Sequence, residues 1–180
     1  MYIASLMEYT IDKALEILER TPKILEIFLE NLSDEWIFCN EGYETWSAFD
    51  IVGHLIHGEK TDWVPRLKTV LSDSENKTFE PYNRFAQFEE SKGKTMKQLL
   101  EEFTKLRKQN LKFLKSLHIS KKDFDKKGIH PSLGEVTLKN LLATWVTHDL
   151  GHIAQISRVM AKQYTDEVGP WTAYISILNR

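Results

Sequence analysis

The sequence predicts an all-α fold, a four-helix bundle with a long connection between its second and third helices. Three observations predict it. Apolar residues recur every three or four positions in four separate stretches, no run shows the alternation of a half-buried strand, and a long polar stretch, Ser72 to Lys94, divides the second periodic segment from the third.

The first helix covers residues 6 to 32, with Leu6, Ile11, Leu15, Leu18, Leu25, Phe28, Leu29 and Leu32 at helical spacing. Thr21-Pro22 interrupts it. Threonine before proline is an N-cap followed by a first helical position, so the helix is either kinked or built as two pieces. Asn31 to Ser47 reads as a connection, and Trp46-Ser47 leads into a second helix from Ala48 to Leu71. Ser72 to Lys94, with Pro81 and Gly93, is long enough to span the bundle, which makes the second and third helices parallel neighbours. The third helix covers about Thr95 to Leu117, and its stripe of Leu99, Phe103, Leu106, Leu111, Phe113 and Leu114 alternates with lysines and glutamates that read as a solvated outer face. Ile119 to Val136 carries Gly128, Pro131 and Gly134 and reads as a connection. Thr137 then caps a fourth helix to about Gln163, and a tail, Trp171 to Leu178, is expected to pack back on the bundle.

The chain of 180 residues is the size of one domain, 1–180, and its 42% hydrophobic content can fill one core. With 24 basic and 26 acidic residues interspersed, the net charge of −2 leaves no electrostatic footprint for nucleic acid. Glu8, Asp12 and Glu16 do not suit a signal peptide, and no segment reaches the roughly 18 apolar residues of a membrane span. The expectation is a soluble cytoplasmic protein. Cys39 is the only cysteine, which excludes intrachain disulfides and thiolate metal clusters, so a metal would be held by nitrogen and oxygen. No pattern around Cys39 suggests an activated nucleophile, and phosphate-binding glycine motifs and a G-x-S-x-G elbow are absent.

His148-Asp149-Leu150-Gly151-His152 carries the most chemistry. Histidines four apart lie within roughly 40° of each other and one turn apart, and here both fall on or beside the apolar face of the fourth helix. They can share one ion, for which neutral imidazole suits zinc, nickel or iron, or they can be core histidines bonded to neighbours. Asp149 falls near the centre of the same face and needs a partner. It can accept from a metal-bound histidine, act as a base, or pair with a cation such as Arg66. In the second helix, Glu59 projects into the middle of the apolar arc as metal ligand, acid-base group or ion-pair partner. His54 lies on a flank of that arc, so periodicity does not choose between His54 and His57. The spacing also matches H-E-x-x-H proteases, but aspartate replaces the glutamate and no downstream third ligand is evident. His118 and His130 sit near loops.

The order of these features resembles the DinB/YfiT-like superfamily: Trp46-Ser47 opening the second helix, Gly53-His54-Leu55, then Glu59 and Trp63, then His148-x3-His152 followed by Ala154-Gln155-Ile156. The resemblance covers most of the chain. It implies one divalent transition metal, zinc or nickel first, held by His54, His148 and His152, and it selects His54 over His57. Characterised members are mainly thiol-dependent S-transferases and isomerases in which the ion activates a low-molecular-weight thiol. The resemblance therefore implies a metal-dependent S-transferase acting on a small electrophile, with Asp149 or Glu59 orienting ligands or moving a proton. Two alternatives stand beside it: a metal-dependent hydrolase of a small ester or amide, and a non-catalytic metal-binding stress-response bundle. A small-molecule substrate and a homodimer are the implied partners.

Overall fold

The computed structural model describes residues 7–179. Leu6, assigned by periodicity to the first helix, lies outside the described residues. The first bundle helix is made of two pieces, α1 (Ile11–Leu18) and α2 (Thr21–Leu29). Thr21 is not the extended N-cap that the sequence suggests, because Glu19, Arg20 and Thr21 all stay helical, and the chain bends instead of restarting. Pro22 has no N–H for the carbonyl of Leu18. That carbonyl accepts from Arg107 Nη1 at 2.9 Å.

The connection after α2 contains a short helix, α3 (Asp34–Phe38). The second bundle helix, expected to be continuous from Ala48 to Leu71, is also two pieces, α4 (Ala48–Thr61) and α5 (Trp63–Leu71), which meet at Asp62. Pro65 explains the break, since it lacks the N–H that would reach Thr61 and its ring crowds that carbonyl. The crossover holds one short helix, α6 (Ala86–Ser91), and leads to α7 (Met96–Ser116). The last long helix, α8 (Leu138–Lys162), precedes α9 (Thr165–Val168) and two 3-10 turns, Gly169–Ala173 and Ser176–Asn179. The second turn folds back on α8, while Trp171 and Tyr174 stay exposed. Ser47, Thr95 and Thr137 start α4, α7 and α8 with capping boxes closed by Asp50, Gln98 and Asn140, which satisfy otherwise unpaired backbone donors.

One element departs from the all-helical expectation. Lys127–His130 (β1) and Gly134–Thr137 (β2) pair antiparallel, with Lys127 opposite Thr137 and His130 opposite Gly134. Strands this short carry too few residues for alternation to stand out. The hairpin pins the crossover to the bundle: Phe79 N donates to Ile129 O at 2.8 Å, and Ile129 N donates to Lys77 O at 2.9 Å. Gly128 permits the approach, because a Cβ there would lie 2.5 Å from the Phe79 ring.

Two apolar clusters stack along the bundle. One joins Leu25 and Leu29 of α2, Ile51 and Leu55 of α4, Leu99 and Phe103 of α7, and Ile156 and Val159 of α8. The other joins Leu18 of α1, Leu67 of α5, Leu111 and Leu114 of α7, and Leu138 and Trp145 of α8. The second bundle helix and α7 therefore run in the same sense and the other two run against them, which is the crossover topology expected from the long connection.

Between the clusters lies a charged layer centred on Arg107, which is 1% exposed. Arg107 stands apart from the lysines and glutamates of α7 that the sequence places on the outer face. Its Nε and Nη2 donate to Glu59 Oε1 at 3.0 and 2.9 Å, and its Nη1 and Nη2 donate to Asp149 Oδ2 and Oδ1 at 2.6 and 2.9 Å. Glu59 also accepts from Trp145 Nε1 at 3.1 Å and from Asn110 Nδ2 at 2.9 Å. Arg66, the cation considered for Asp149, instead pairs with Asp62.

Removing the arginine would leave two buried carboxylates without a counter-charge. Arg107→Met is expected to lower the unfolding free energy by about 3–5 kcal/mol in urea titrations near neutral pH. Burial already pushes the Glu59 carboxyl up, against the pull of Arg107. The deficit should therefore shrink as the pH falls and the stranded carboxylates protonate. A deficit independent of pH would contradict this account.

Candidate metal centre

α4 and α8 each present histidine to the same point beside the charged layer. His54 lies five residues before Glu59 on α4, and His148 and His152 flank Asp149 on α8, so the Arg107 network that joins the carboxylates also bears on the distance between the imidazoles. His54 Nε2 lies 3.0 Å from His148 Nε2, and His152 Nε2 lies 3.1 Å from it. One atom from each of the three falls within 4.8 Å of the others.

Three ring nitrogens so arranged cannot satisfy one another. His148 Nε2 has one lone pair or one proton, and it faces two nitrogens at hydrogen-bond distance. A single cation accepts all three lone pairs at once. Tetrahedral Zn–N bonds of about 2.0–2.1 Å place ligand nitrogens roughly 3.3 Å apart, close to the separations here. The donor set fits a borderline transition metal, because imidazole nitrogen does not suit magnesium or calcium.

The outer partners prepare the rings for this role. His152 Nδ1 donates to Gln155 Oε1 at 2.8 Å, which places the proton on Nδ1 and leaves Nε2 a lone pair. His54 Nδ1 pairs with the Tyr82 hydroxyl at 3.0 Å. Trp63 packs edge-on against His148 at 5.1 Å, and Trp46 packs against His54 at 4.9 Å. Burial lowers the pKa of His54 to about 4 and of His148 to about 2, with the neighbouring imidazoles adding to the shift, and burial also lowers that of His152. All three are neutral near pH 7 and available as ligands.

The other sequence candidates fall elsewhere. His57 points away from the cluster and donates through Nδ1 to Glu90 Oε1 at 2.8 Å. His130 holds the hairpin turn, its Nδ1 accepting from Ser132 N and Leu133 N. The oxygens of Glu59 and Asp149 bond to Arg107, Asn110 and Trp145. The acceptor role considered for Asp149 toward a ligand histidine is filled by Gln155 for His152.

Sequence reasoning missed Arg107, Tyr82 and Gln155. Arg107 had a signal, since it continues the stripe of Phe103 and Leu111 at four-residue spacing and so faces inward. Gln155, three residues after His152, shares its helix face. Tyr82 had none, because it comes from the irregular crossover.

A cavity of about 180 Å³ adjoins His148 and is lined by Trp63, Phe79 and Leu141 together with Asp62, Arg66 and Asn140. A larger groove of about 570 Å³ runs between α2 and α7, lined largely by lysines and glutamates. Size does not select the site; the converging imidazoles do.

Comparison with known proteins agrees with this architecture. YfiT from Bacillus subtilis, described as a probable metal-dependent hydrolase with an unusual four-helix bundle topology, superposes with a TM-score of 0.73 over 91% of this chain and 93% of its own, at 22% sequence identity. No curated protein sequence matches the chain. The sequence pattern of the DinB superfamily matches residues 17–156, from α1 through the histidine pair of α8, and the chain belongs to that superfamily.

Proposed function

We propose that this protein is a metal-dependent enzyme for a small electrophilic molecule, in which His54, His148 and His152 hold one divalent ion, zinc or nickel, and a low-molecular-weight thiol is the co-substrate. The observation that carries the reading is the convergence of three neutral imidazole nitrogens that cannot satisfy one another. The fold resemblance to YfiT, a probable metal-dependent hydrolase, supports a metal.

A divalent ion at this position supplies Lewis acidity, lowering the pKa of a thiol or a water so that the anion forms near neutral pH. The remaining work falls to the chain. Gln155 holds the His152 ring in its ligand tautomer, and Trp46 and Trp63 wall the imidazoles. Arg107 with Glu59 and Asp149 carries a formal charge of −1, which favours a cation beside it. In this reading the two carboxylates are positioning and electrostatic residues. In the transfer step the thiol would lose its proton to solvent, its sulfur would form a bond to the electrophilic carbon, and the leaving group would depart with the electron pair of the broken bond.

The hydrolytic reading keeps the same ligands and is favoured by the description of YfiT. Either nucleophile releases a proton, and because Glu59 and Asp149 are engaged with Arg107, that proton goes to solvent in both readings. The resemblance to the thiol-dependent members of the superfamily supports thiol transfer. We assign the protein to the cytoplasm, where small thiols stay reduced, and expect a homodimer.

Metal content measured on untagged protein is expected to be near one ion per chain, to fall to background in His54→Ala and His148→Ala, and to persist in His57→Ala. Retention of metal by His148→Ala would remove the site from consideration. With metal bound, incubation of a thiol and a small alkyl halide should yield the thioether by mass spectrometry, faster than in metal-stripped protein. Ester cleavage that needs no thiol would instead establish the hydrolytic reading.

A further inference from the structure

The cavity of about 180 Å³ beside the candidate metal centre shares His148 with it. It lies where α5, the crossover, the hairpin and α8 meet. Trp63, Phe79 and Leu141 form its buried walls, and Leu133 at the hairpin tip forms its exposed rim with Asn140 and Thr144. Asn140, Thr144 and His148 are four residues apart, so they make one row along α8 that leads from the rim to the imidazole. An apolar cavity of about 150 Å³ takes up benzene, which sets the scale of what fits.

Three polar side chains on the lining are donors in want of an acceptor. Asn140 Oδ1 accepts from Thr137 N and Oγ1 at 3.0 and 2.8 Å, which leaves the amide N–H groups of Nδ2. His130 Nδ1 accepts from Ser132 N and Leu133 N, so the ring proton sits on Nε2. Thr61, Thr69 and Thr147 turn their hydroxyls back to the carbonyl four residues earlier, whereas Thr144 makes no such bond. Asn140 Nδ2, His130 Nε2 and Thr144 Oγ1 have no acceptor among the described residues. The carboxylate on the lining, Asp62, pairs with Arg66, so neither sign of charge is in excess. Such a lining suits an uncharged molecule that brings an oxygen acceptor, because an anion would give up its hydration without an unpaired cation to meet it.

We propose that this cavity holds the small electrophile, and that the ligand is a flat, uncharged, largely apolar molecule of about the size of a substituted benzene, with its ring between Trp63, Phe79 and Leu141 and a carbonyl-type oxygen on the donors of the rim. The inference rests on the metal-dependent reading above for the role of the ligand, and adds its chemical class and its place.

The test is equilibrium dialysis of the full chain, with and without zinc, against acetophenone, α-methylstyrene, which has CH2 in place of the oxygen, and benzoate. Zinc content is measured first and should be the same in the native protein, Asn140→Asp, Thr144→Val and Thr144→Trp. Asn140→Asp keeps the oxygen that caps α8 and removes the amide donor, Thr144→Val removes the hydroxyl at constant shape, and Thr144→Trp fills the mouth. The native protein should bind acetophenone about fivefold more tightly than α-methylstyrene, the scale of one neutral hydrogen bond, and more tightly than benzoate. Asn140→Asp and Thr144→Val should each lower the preference over α-methylstyrene severalfold, and Thr144→Trp should abolish binding. No preference in the native protein, a preference unchanged in both conservative variants, tighter binding of benzoate, or binding that survives Thr144→Trp overturns the inference. Acetophenone should also compete with the alkyl halide in the thioether assay, and binding without competition overturns the placement of the electrophile. A protein that takes up no zinc overturns the metal reading, while the titrations of the metal-free chain still decide the ligand class of the cavity.

Discussion

The four bundle helices meet at one side chain. Arg107 of α7 donates to the Leu18 carbonyl at the end of α1, to Glu59 near the end of α4 and to Asp149 in the middle of α8. Those contacts use the five N–H groups of the guanidinium, something no other side chain could do in that place. A buried charge is tolerated only with such complete satisfaction. The backbone contributes as well, because the carbonyl that Arg107 takes from α1 is the one that Pro22 leaves without a donor. The network also sets the separation and rotation of α4 against α8, and the imidazoles converge only if both are right.

Much of this was legible in the residues, and the gaps have physical causes. The spacing of leucines and phenylalanines marks the bundle helices, and Ser47, Thr95 and Thr137 mark three of their starts, because capping is a local property. Asp149 and Glu59 announce themselves as inward carboxylates in need of partners. The partner was hidden by habit: lysines and glutamates surround Arg107 on α7, and only its place in the stripe of Phe103 and Leu111 sets it apart. The break at Asp62 was readable in Pro65. The hairpin was not, since strands of four residues are too short for alternation to stand out.

The candidate site divides in a similar way. Two histidines four apart on one helix are local geometry, visible in any sequence. Joining them to His54 requires the packing of α4 on α8, and a helical wheel cannot supply that. The resemblance to a family did, and the structure groups His54 with His148 and His152 while it turns His57 to Glu90. Tyr82 shows the limit of sequence reasoning, because its hydroxyl reaches His54 only after the crossover has been laid across the bundle.

The order in which these parts can come together during synthesis follows from their separation along the chain. His54 and His148 are 94 residues apart, and Arg107 reaches the Leu18 carbonyl across 89. Contacts so distant close late, because the entropy of the intervening chain is lost before they contribute. While the ribosome is still making α8, the already emerged α4 carries inward-facing His54 and Glu59 with neither counterpart present. The nascent chain therefore has no preformed cradle of three imidazoles, and the proposed ion would be taken up by the finished bundle.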